Sequence, residues 1–132
     1  MVSFVAPLLR HPNVAHRLIN VRTGGVVAHQ LLTAFDSSSR RKGLLGRDSL
    51  DEGTTMLIAP SNAVHTFFMR FPIDVAFVAK DGRVLKVRHA VPPRRITAAL
   101  RAYAVAEMAA GTLRRMDVRP GDMLVVTDAD SI

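Results

Sequence analysis

Short apolar segments separated by turn residues run along most of the chain and predict β-strands. The clearest pair spans residues 75–79 and 83–88, on either side of Asp81-Gly82, a dipeptide typical of tight β-hairpin turns. Further strands are predicted at residues 18–21, 26–31, 56–58, 64–69, 103–108 and 123–126. The pattern therefore favours sheets over helices.

Helices are few in this pattern. Asp36 precedes a run of serines and provides an N-cap for a short helix that we expect to end near Leu45, with Gly46 as its stop. A helical turn is predicted at residues 111–116. Residues 94–101 have no clear periodicity and are expected to form a basic connector.

These elements predict one β-rich domain over residues 18–132, preceded by a loosely docked N-terminal arm over residues 1–17, in which two prolines limit regular structure. Seven or more short strands with one or two short helices indicate a mainly β fold (β-rich α+β), either a small antiparallel barrel or a sandwich. No βαβ alternation and no glycine-rich phosphate loop is present, so a doubly wound nucleotide-binding sheet is not expected.

Composition narrows the class of protein. The 132 residues are 48% hydrophobic, which is enough for a packed core, and the absence of cysteine excludes disulfides, thiolate nucleophiles and cysteine-based zinc sites. The longest apolar segment, residues 53–69, is interrupted by Pro60 and Asn62, so no membrane-spanning helix is predicted. The first ten residues lack the basic start and the cleavage site of a signal peptide, and we expect a cytoplasmic location.

The net charge of +7 raises the question of a nucleic-acid partner. The basic residues are spread along the chain, and the largest cluster is only Arg40-Arg41-Lys42. The few aromatic residues, which would stack on exposed bases, sit inside apolar segments. The sequence therefore predicts a solvated basic surface and makes nucleic-acid binding the less favoured interpretation.

The candidate site residues are His65, Arg70, Asp74 and Glu107, which all stand among bulky apolar residues. A carboxylate in such surroundings needs a partner, because burying it alone is costly. Asp74 and Glu107 could hold a ligand or, with His65 and an additional His89, a divalent metal. In the alternative interpretation both carboxylates have a structural role, and they accept backbone hydrogen bonds or pair with Arg40 or Arg70. We favour this alternative, because the spacing of the candidate residues matches no known metal or catalytic motif and structural ion-pair networks are common.

Several motifs occur in a fixed order along the chain. They are Arg40-x-x-Gly43-Leu44-Leu45-x-Arg47, Met56-Leu57, the segment from His65 to Phe77, Asp81-Gly82-Arg83-Val84-Leu85, Glu107-x-x-x-Gly111 and Val118-x-Pro120-Gly121-Asp122. This order resembles the domain of unknown function 192 family of bacteria and archaea over about residues 26–127. The resemblance implies a β-rich, barrel-like fold and implies no specific activity.

The function we predict is a small non-enzymatic binding module. Its site would lie around His65, Arg70, Asp74 and Glu107, with Arg40 beside them, and would take a small polar ligand or a peptide segment. One alternative is a metal-dependent enzyme that uses His65, Asp74 and Glu107, and another is a nucleic-acid-binding accessory protein. No catalytic residue and no cofactor is assigned, no membrane partner is expected, and the metal and the oligomeric state are left open.

Overall fold

A computed structural model describes residues 2–129, which form ten strands and three short helices. The elements are α1 (Ala6–Arg10), β1 (His16–Asn20), β2 (Val26–Ala28), β3 (Gln30–Ala34), α2 (Ser37–Lys42), β4 (Thr54–Ile58), β5 (Ala63–His65), β6 (Ile73–Val78), β7 (Val84–Val91), β8 (Ile96–Ala98), β9 (Ala104–Ala109), α3 (Thr112–Arg115) and β10 (Leu124–Asp128). Across the described residues, no helix has the length and apolar character needed to cross a membrane.

A five-stranded sheet in the order β3-β4-β9-β6-β7 forms the centre of the molecule. All its neighbouring strands are antiparallel except β3 and β4, which are parallel. Every residue of β4 and β6 is buried, and β9 is buried except at its last residue. These three central strands are therefore covered on both faces, which explains why they are nearly continuous apolar runs in the sequence.

One face of the central sheet packs against the three-stranded sheet β10-β1-β2, and we call it the sandwich face. Leu57 and Ala106 of the central sheet share a core there with Leu18 of β1 and Leu124 of β10. Leu113 of α3 belongs to the same core. Two sheets packed in this way give the sandwich alternative of the predicted fold.

The opposite face of the central sheet, which we call the pocket face, has its own core. Met56, Val75 and Val105 pack there against Leu44, which follows α2, and against Val64 of β5. Among the described strands, β5 and β8 pair with each other alone and form a separate two-stranded ribbon. The pocket face is thus covered by short, separate pieces rather than by a complete sheet.

The N-terminal segment belongs to the core. Phe4, Val5 and Leu8 are buried on the sandwich face, and the Phe4 amide donates a hydrogen bond to the Lys80 carbonyl at 2.9 Å. α1 carries Pro7 in its first turn, where a missing N–H leaves no helical bond unmade. The prediction of loose docking is therefore wrong for these residues, because their apolar side chains fill the sandwich-face core.

The predicted fold class is confirmed: the protein is mainly β with three short helices, and no closed barrel forms within residues 2–129. Some elements differ from the prediction. Residues 26–31 are divided between β2 and β3, because the His29 and Gln30 amides both turn to the Gly53 carbonyl. The parallel pairing of β3 with β4 departs from the expected antiparallel arrangement, and the connector at residues 94–101 contains β8.

The turn after β5 is fastened to the segment before β8 by Thr66. Its buried hydroxyl donates to the Pro92 carbonyl at 2.6 Å and accepts from the Arg95 amide at 2.9 Å. The Thr66 backbone adds bonds to the Arg95 carbonyl and the Arg94 amide, at 2.8 and 3.2 Å. Because Thr66 forms these bonds, the strand ends at His65 instead of continuing to residue 69 as predicted.

We expect Thr66→Val to lower the free energy of unfolding by about 1–2 kcal/mol, because the Pro92 carbonyl and the Arg95 amide would both lose the hydroxyl to which they are hydrogen-bonded. Thr97→Val is the matched control on β8, since the buried Thr97 hydroxyl has no hydrogen-bond partner among the described residues. That variant should be as stable as the parent protein or more so. Urea unfolding measures both, and equal losses in the two variants would contradict the role given to Thr66.

Candidate functional site

Within residues 2–129 three carboxylates are buried, and their surroundings differ. Asp122 accepts from Asn20 Nδ2 at 2.8 Å, from Arg22 Nε at 2.6 Å and from the Arg119 amide at 2.8 Å. The hydrogen bond from Arg22 is the main cause that lowers the pKa of Asp122 to about 2. This carboxylate therefore joins the turn before β10 to β1 and has no capacity left for a ligand.

Asp74 is also fully used within the fold. Its Oδ1 accepts from the Ala90 amide at 2.8 Å, and its Oδ2 accepts from the Gly111 and Leu113 amides, both at 3.0 Å. Ala90 has a φ of +47° in the irregular part of β7, and Gly111 starts α3. Asp74 thus holds two irregular backbone segments in place, as the structural interpretation of this residue predicts.

Glu107 is the exception among the three. Its side chain is on β9, the residue is only 3% exposed, and no described residue donates a hydrogen bond or forms an ion pair with its carboxyl group. Burial raises the pKa of Glu107 from 4.5 to about 7. Near neutral pH this carboxyl is therefore close to half protonated, and it can either donate or accept a hydrogen bond.

Asp74 and Glu107 lie on neighbouring strands but on opposite faces of the central sheet. In the register of β6 with β9, Asp74 stands opposite Met108, and Val75 stands opposite Glu107. Met108 belongs to the core of the sandwich face and Val75 to the core of the pocket face. Because side chains alternate along a strand, Asp74 faces the sandwich side and Glu107 faces the pocket side.

A pocket of about 630 Å³ opens on the pocket face, and Glu107 is its buried acidic residue. Apolar walls come from residues such as Leu44, Ile58 and Met69, which also belong to the core on this face. The exposed residues of its lining are mainly basic or polar: Arg41, Lys42, Ser37, Pro60, Ala63 and His65. A buried carboxyl with a raised pKa thus lines the same pocket as two exposed cations, Arg41 and Lys42.

Helix α2 forms one wall of this pocket because its two ends are well defined. Asp36 accepts from the Ser39 amide at 2.8 Å, and Ser39 Oγ accepts from the Asp36 amide, which makes a capping box. Gly43 ends the helix with a φ of +46°, a conformation that favours glycine. A Cβ added to Gly43 would lie 3.7 Å from Glu107 Oε1, so the helix end borders the carboxyl group.

Comparison with known proteins places the chain in a family. The sequence profile of the family described as "Uncharacterized ACR", the domain of unknown function 192, matches residues 19–126. The chain belongs to this family. The resemblance stated from the ordered motifs is therefore confirmed, and the matched range contains Glu107 and every other residue of the pocket lining.

Two crystal structures are similar in fold to this member of the family. One, from Sinorhizobium meliloti 1021, is a provisionally assigned transcription regulator with 28% identity and a TM-score of 0.72, over 84% of this chain and 91% of that one. The other, of a protein of unknown function from Novosphingobium aromaticivorans DSM 12444, has 24% identity and a TM-score of 0.72, over 83% and 82%. None of the curated proteins is significantly similar in sequence.

Of the five predicted site residues, the structure brings three to the pocket: Arg40, His65 and Glu107. Asp74 faces the other side of the sheet, and Arg70 pairs on the surface with Asp48 at 2.6 Å. No group of three histidine, aspartate or glutamate side chains within residues 2–129 is arranged to hold a metal ion. The metal site considered for His65, Asp74 and Glu107 is therefore not assembled in this fold.

The predicted ion pair between Arg40 and a buried carboxylate is not formed in the described part of the chain. Arg40 Nη1 instead donates to the Phe35 carbonyl at 3.0 Å, and Nη2 makes a long contact of 3.4 Å with Ser37 Oγ. The guanidinium thus turns back along its own helix. Neither Asp74 nor Glu107 therefore pairs with Arg40, one of the two arginines considered for them.

The pocket also contains residues that the sequence interpretation did not select as site residues. Arg41 and Lys42 were expected to be solvated, and they are exposed, but they also line the pocket beside Glu107. Gly43, given above only as part of a family motif, ends the helix next to the carboxyl group. The signal for these residues was present in the basic triplet that directly precedes the Gly43-Leu44 motif.

Proposed function

We propose that this protein is a small non-enzymatic binding module whose pocket takes a small polar ligand or a peptide segment through Glu107. The observation that carries this proposal is the buried Glu107 carboxyl, which has no partner among residues 2–129 and lines a pocket of about 630 Å³. A volume of that size is within the usual range for small-ligand sites. Asp74 and Asp122 are buried too, but their hydrogen bonds account for them.

The energetic reason is that an unpartnered carboxyl is costly to bury. A pKa displaced from 4.5 to about 7 corresponds to about 3 kcal/mol of unfavourable free energy for the ionised form. A ligand that donates a hydrogen bond or carries a positive charge beside Glu107 would recover part of that cost on binding. Amides, amidines and protonated amines are therefore the groups that this end of the pocket would select.

The opening of the pocket supports a second contact of opposite polarity. Arg41 and Lys42 are exposed there and form no ion pair within the described residues. A ligand that carries an acceptor or a carboxylate at the other end would meet these two cations. The ligand class that fits both ends has a donor group inside and an acceptor group outside, as an amino acid or a peptide segment does.

The test is nuclear magnetic resonance of the isotope-labelled protein titrated with acetamidine and, separately, with acetate. We expect acetamidine to shift the amide signals of Gly43 and Leu44, and we expect Glu107→Gln to weaken that response by about tenfold, because the charged acceptor is lost. Acetate should shift the amide signals of Arg41 and Lys42, and it should do so equally in the parent protein and in Glu107→Gln. Acetamidine shifts that are the same in Glu107→Gln would exclude Glu107 as the binding group.

The two other functions considered from the sequence receive different support. A metal-dependent enzyme would need His65, Asp74 and Glu107 together, but the register of β6 with β9 puts Asp74 on the face opposite Glu107, whose pocket His65 lines. The nucleic-acid alternative is supported by one neighbour, the provisionally assigned transcription regulator of Sinorhizobium meliloti 1021. Because the pocket contains an unpartnered carboxyl, we favour the binding module over both alternatives. A cytoplasmic location stays a prediction from the sequence.

A further inference from the structure

The tip of the turn after β5 exposes two aromatic rings. Phe68 is 86% exposed and Phe67 is 39% exposed, and they are the only aromatic residues among the exposed large hydrophobic residues of the described chain. Both residues lie inside an apolar segment of the sequence, yet the fold leaves their side chains exposed. Burying one such ring would gain roughly 1.5–3 kcal/mol, so its exposure is costly unless a partner covers it.

The backbone holds these rings outward in a defined arrangement. Phe68 has a φ of +67°, and Arg94, on the facing segment, also has a φ of +67°. This left-handed region is unfavourable for bulky residues, by roughly 1–2 kcal/mol each. The Thr66 hydrogen bonds to residues 92–95 keep both segments in place, so the exposed tip is ordered before any partner arrives.

Two unpaired cations lie next to the rings. Arg94 and Arg95 are exposed, and neither forms an ion pair with a described residue. An open groove is lined by Phe67, Phe68, Met69, Pro93, Arg94 and Arg95. Arg95 makes only long contacts with the Pro93 and Arg94 carbonyls, at 3.5 and 3.3 Å, so its guanidinium remains available for a stronger acceptor.

We propose that Phe67, Phe68, Arg94 and Arg95, which we call the Phe–Arg platform, bind single-stranded nucleic acid. Aromatic faces stack on unpaired bases, and neighbouring guanidinium groups contact the phosphates that connect those bases. The net charge of +7 favours the same polyanion. A duplex keeps its bases stacked inside, so it would meet the arginines but not the rings.

The platform is separate from the pocket that contains Glu107. None of its four residues lines that pocket, although Met69 borders both spaces and the centroid of the Phe67 ring lies 5.9 Å from that of His65, a pocket residue. Binding at the platform therefore does not depend on the proposed function, and Glu107→Gln should leave it unchanged. If the platform does not bind nucleic acid, the proposal for the pocket is unaffected. If the pocket does not bind its ligand, the proposal for the platform is likewise unaffected.

The experiment measures fluorescence anisotropy of a mixed-sequence RNA or DNA strand of about 12 nucleotides at about 50 mM salt, with the matching duplex alongside. We expect the single strand to bind more tightly than the duplex, and Phe68→Ala to weaken that binding at least about fivefold, because one stacked base is lost. Arg94→Gln and Arg95→Gln should each reduce the slope of log affinity against log salt by about 0.7.

Matched controls come from α1, which packs on the sandwich face. Leu9 is 58% exposed and Arg10 is exposed beside it, so Leu9→Ala and Arg10→Gln remove an equivalent apolar group and an equivalent charge away from the platform. Both controls should bind like the parent protein. Because all these side chains are exposed, the variants are expected to keep the parent melting temperature, which is checked in parallel.

Three outcomes would overturn the proposal. The first is no single-strand binding at about 100 μM protein, and the second is an affinity that Phe68→Ala does not change. The third is sedimentation with phosphatidylserine vesicles that depends on Phe68 and occurs without nucleic-acid binding. That result would assign the exposed apolar surface to a lipid membrane. Ile96 would then add to this surface, because it is 71% exposed and stands opposite His65 in the β5–β8 ribbon.

Discussion

Asp74→Ala will lower the free energy of unfolding by about 3–5 kcal/mol, the usual range for removing one partner of a buried charged contact. The Asp74 carboxylate accepts from three backbone amides, those of Ala90, Gly111 and Leu113. Alanine would leave these donors unsatisfied, at about 1–3 kcal/mol for each one that water cannot reach. Urea unfolding at neutral pH measures the loss, and the melting temperature should fall by roughly 10 °C or more.

Asp74→Asn is the informative companion variant. Asparagine keeps the size of the side chain and one acceptor oxygen, but it turns an NH₂ group toward one of the backbone donors. We therefore expect a loss in the same direction with a smaller magnitude. If Asp74 instead faced a ligand site, alanine would leave the melting temperature nearly unchanged or raise it, and that result would contradict the structural role of this carboxylate.

Glu107→Gln will make the protein more stable at alkaline pH and will have less effect in acid. In the folded protein the pKa of Glu107 is about 7, against 4.5 for the ordinary group. The unfolded chain therefore releases this proton more readily, so the carboxyl contributes a loss of stability that grows as the pH rises from about 4.5 to 7. The loss is complete above pH 7 and amounts to about 3 kcal/mol.

The comparison is made by urea unfolding of the parent and of Glu107→Gln at pH 5 and pH 8. The stability difference in favour of the variant should grow by about 2 kcal/mol between the two values, because every other titrating group is shared. Glutamine still buries an amide without a partner, so the gain at pH 8 is less than the full amount. A difference that is constant with pH would show that the Glu107 carboxyl is stabilised by a contact or by water.

The two predictions have opposite signs for chemically similar residues on adjacent strands. Removing Asp74 removes a carboxylate that the fold uses, whereas neutralising Glu107 relieves a charge that the fold does not compensate. A residue whose removal stabilises the protein is typical of a functional site, where stability is given up for binding. Measuring both variants in one experiment therefore tests the assignment of the pocket as well as the fold.

Local chemistry explains which elements were predictable. Asp81-Gly82 forms a turn between β6 and β7, where the Arg83 amide donates to Asp81 Oδ1 at 3.0 Å and Gly82 has a φ of +101°. Asp36 caps α2 as predicted. These features depend on residues within a few positions of one another, so the side chains that determine them are adjacent in the sequence.

The grouping of distant residues in the fold was harder to predict from the sequence. The candidate residues His65, Asp74 and Glu107 are each correctly identified as polar groups in apolar segments, and two of them are indeed deeply buried. Their grouping failed because it depends on the face of the sheet to which each side chain points. A shift of one residue in the β6–β9 register would have placed Asp74 and Glu107 together. The sequence of β6 or of β9 taken alone does not determine how the two strands pair.

The sequence by itself determined the family, through its ordered motifs. It also determined the mainly β class and the residues whose burial needs an explanation, because apolar periodicity and turn chemistry are local properties. Only the tertiary structure decided that backbone amides donate to Asp74, that no residue in the described part of the chain pairs with Glu107 and that Phe68 is exposed. The physical reason is that partners come from distant segments. Asp74 reaches Leu113, 39 positions away, and Thr66 reaches Arg95, 29 positions away. Which donor meets which acceptor is therefore set by strand order and register.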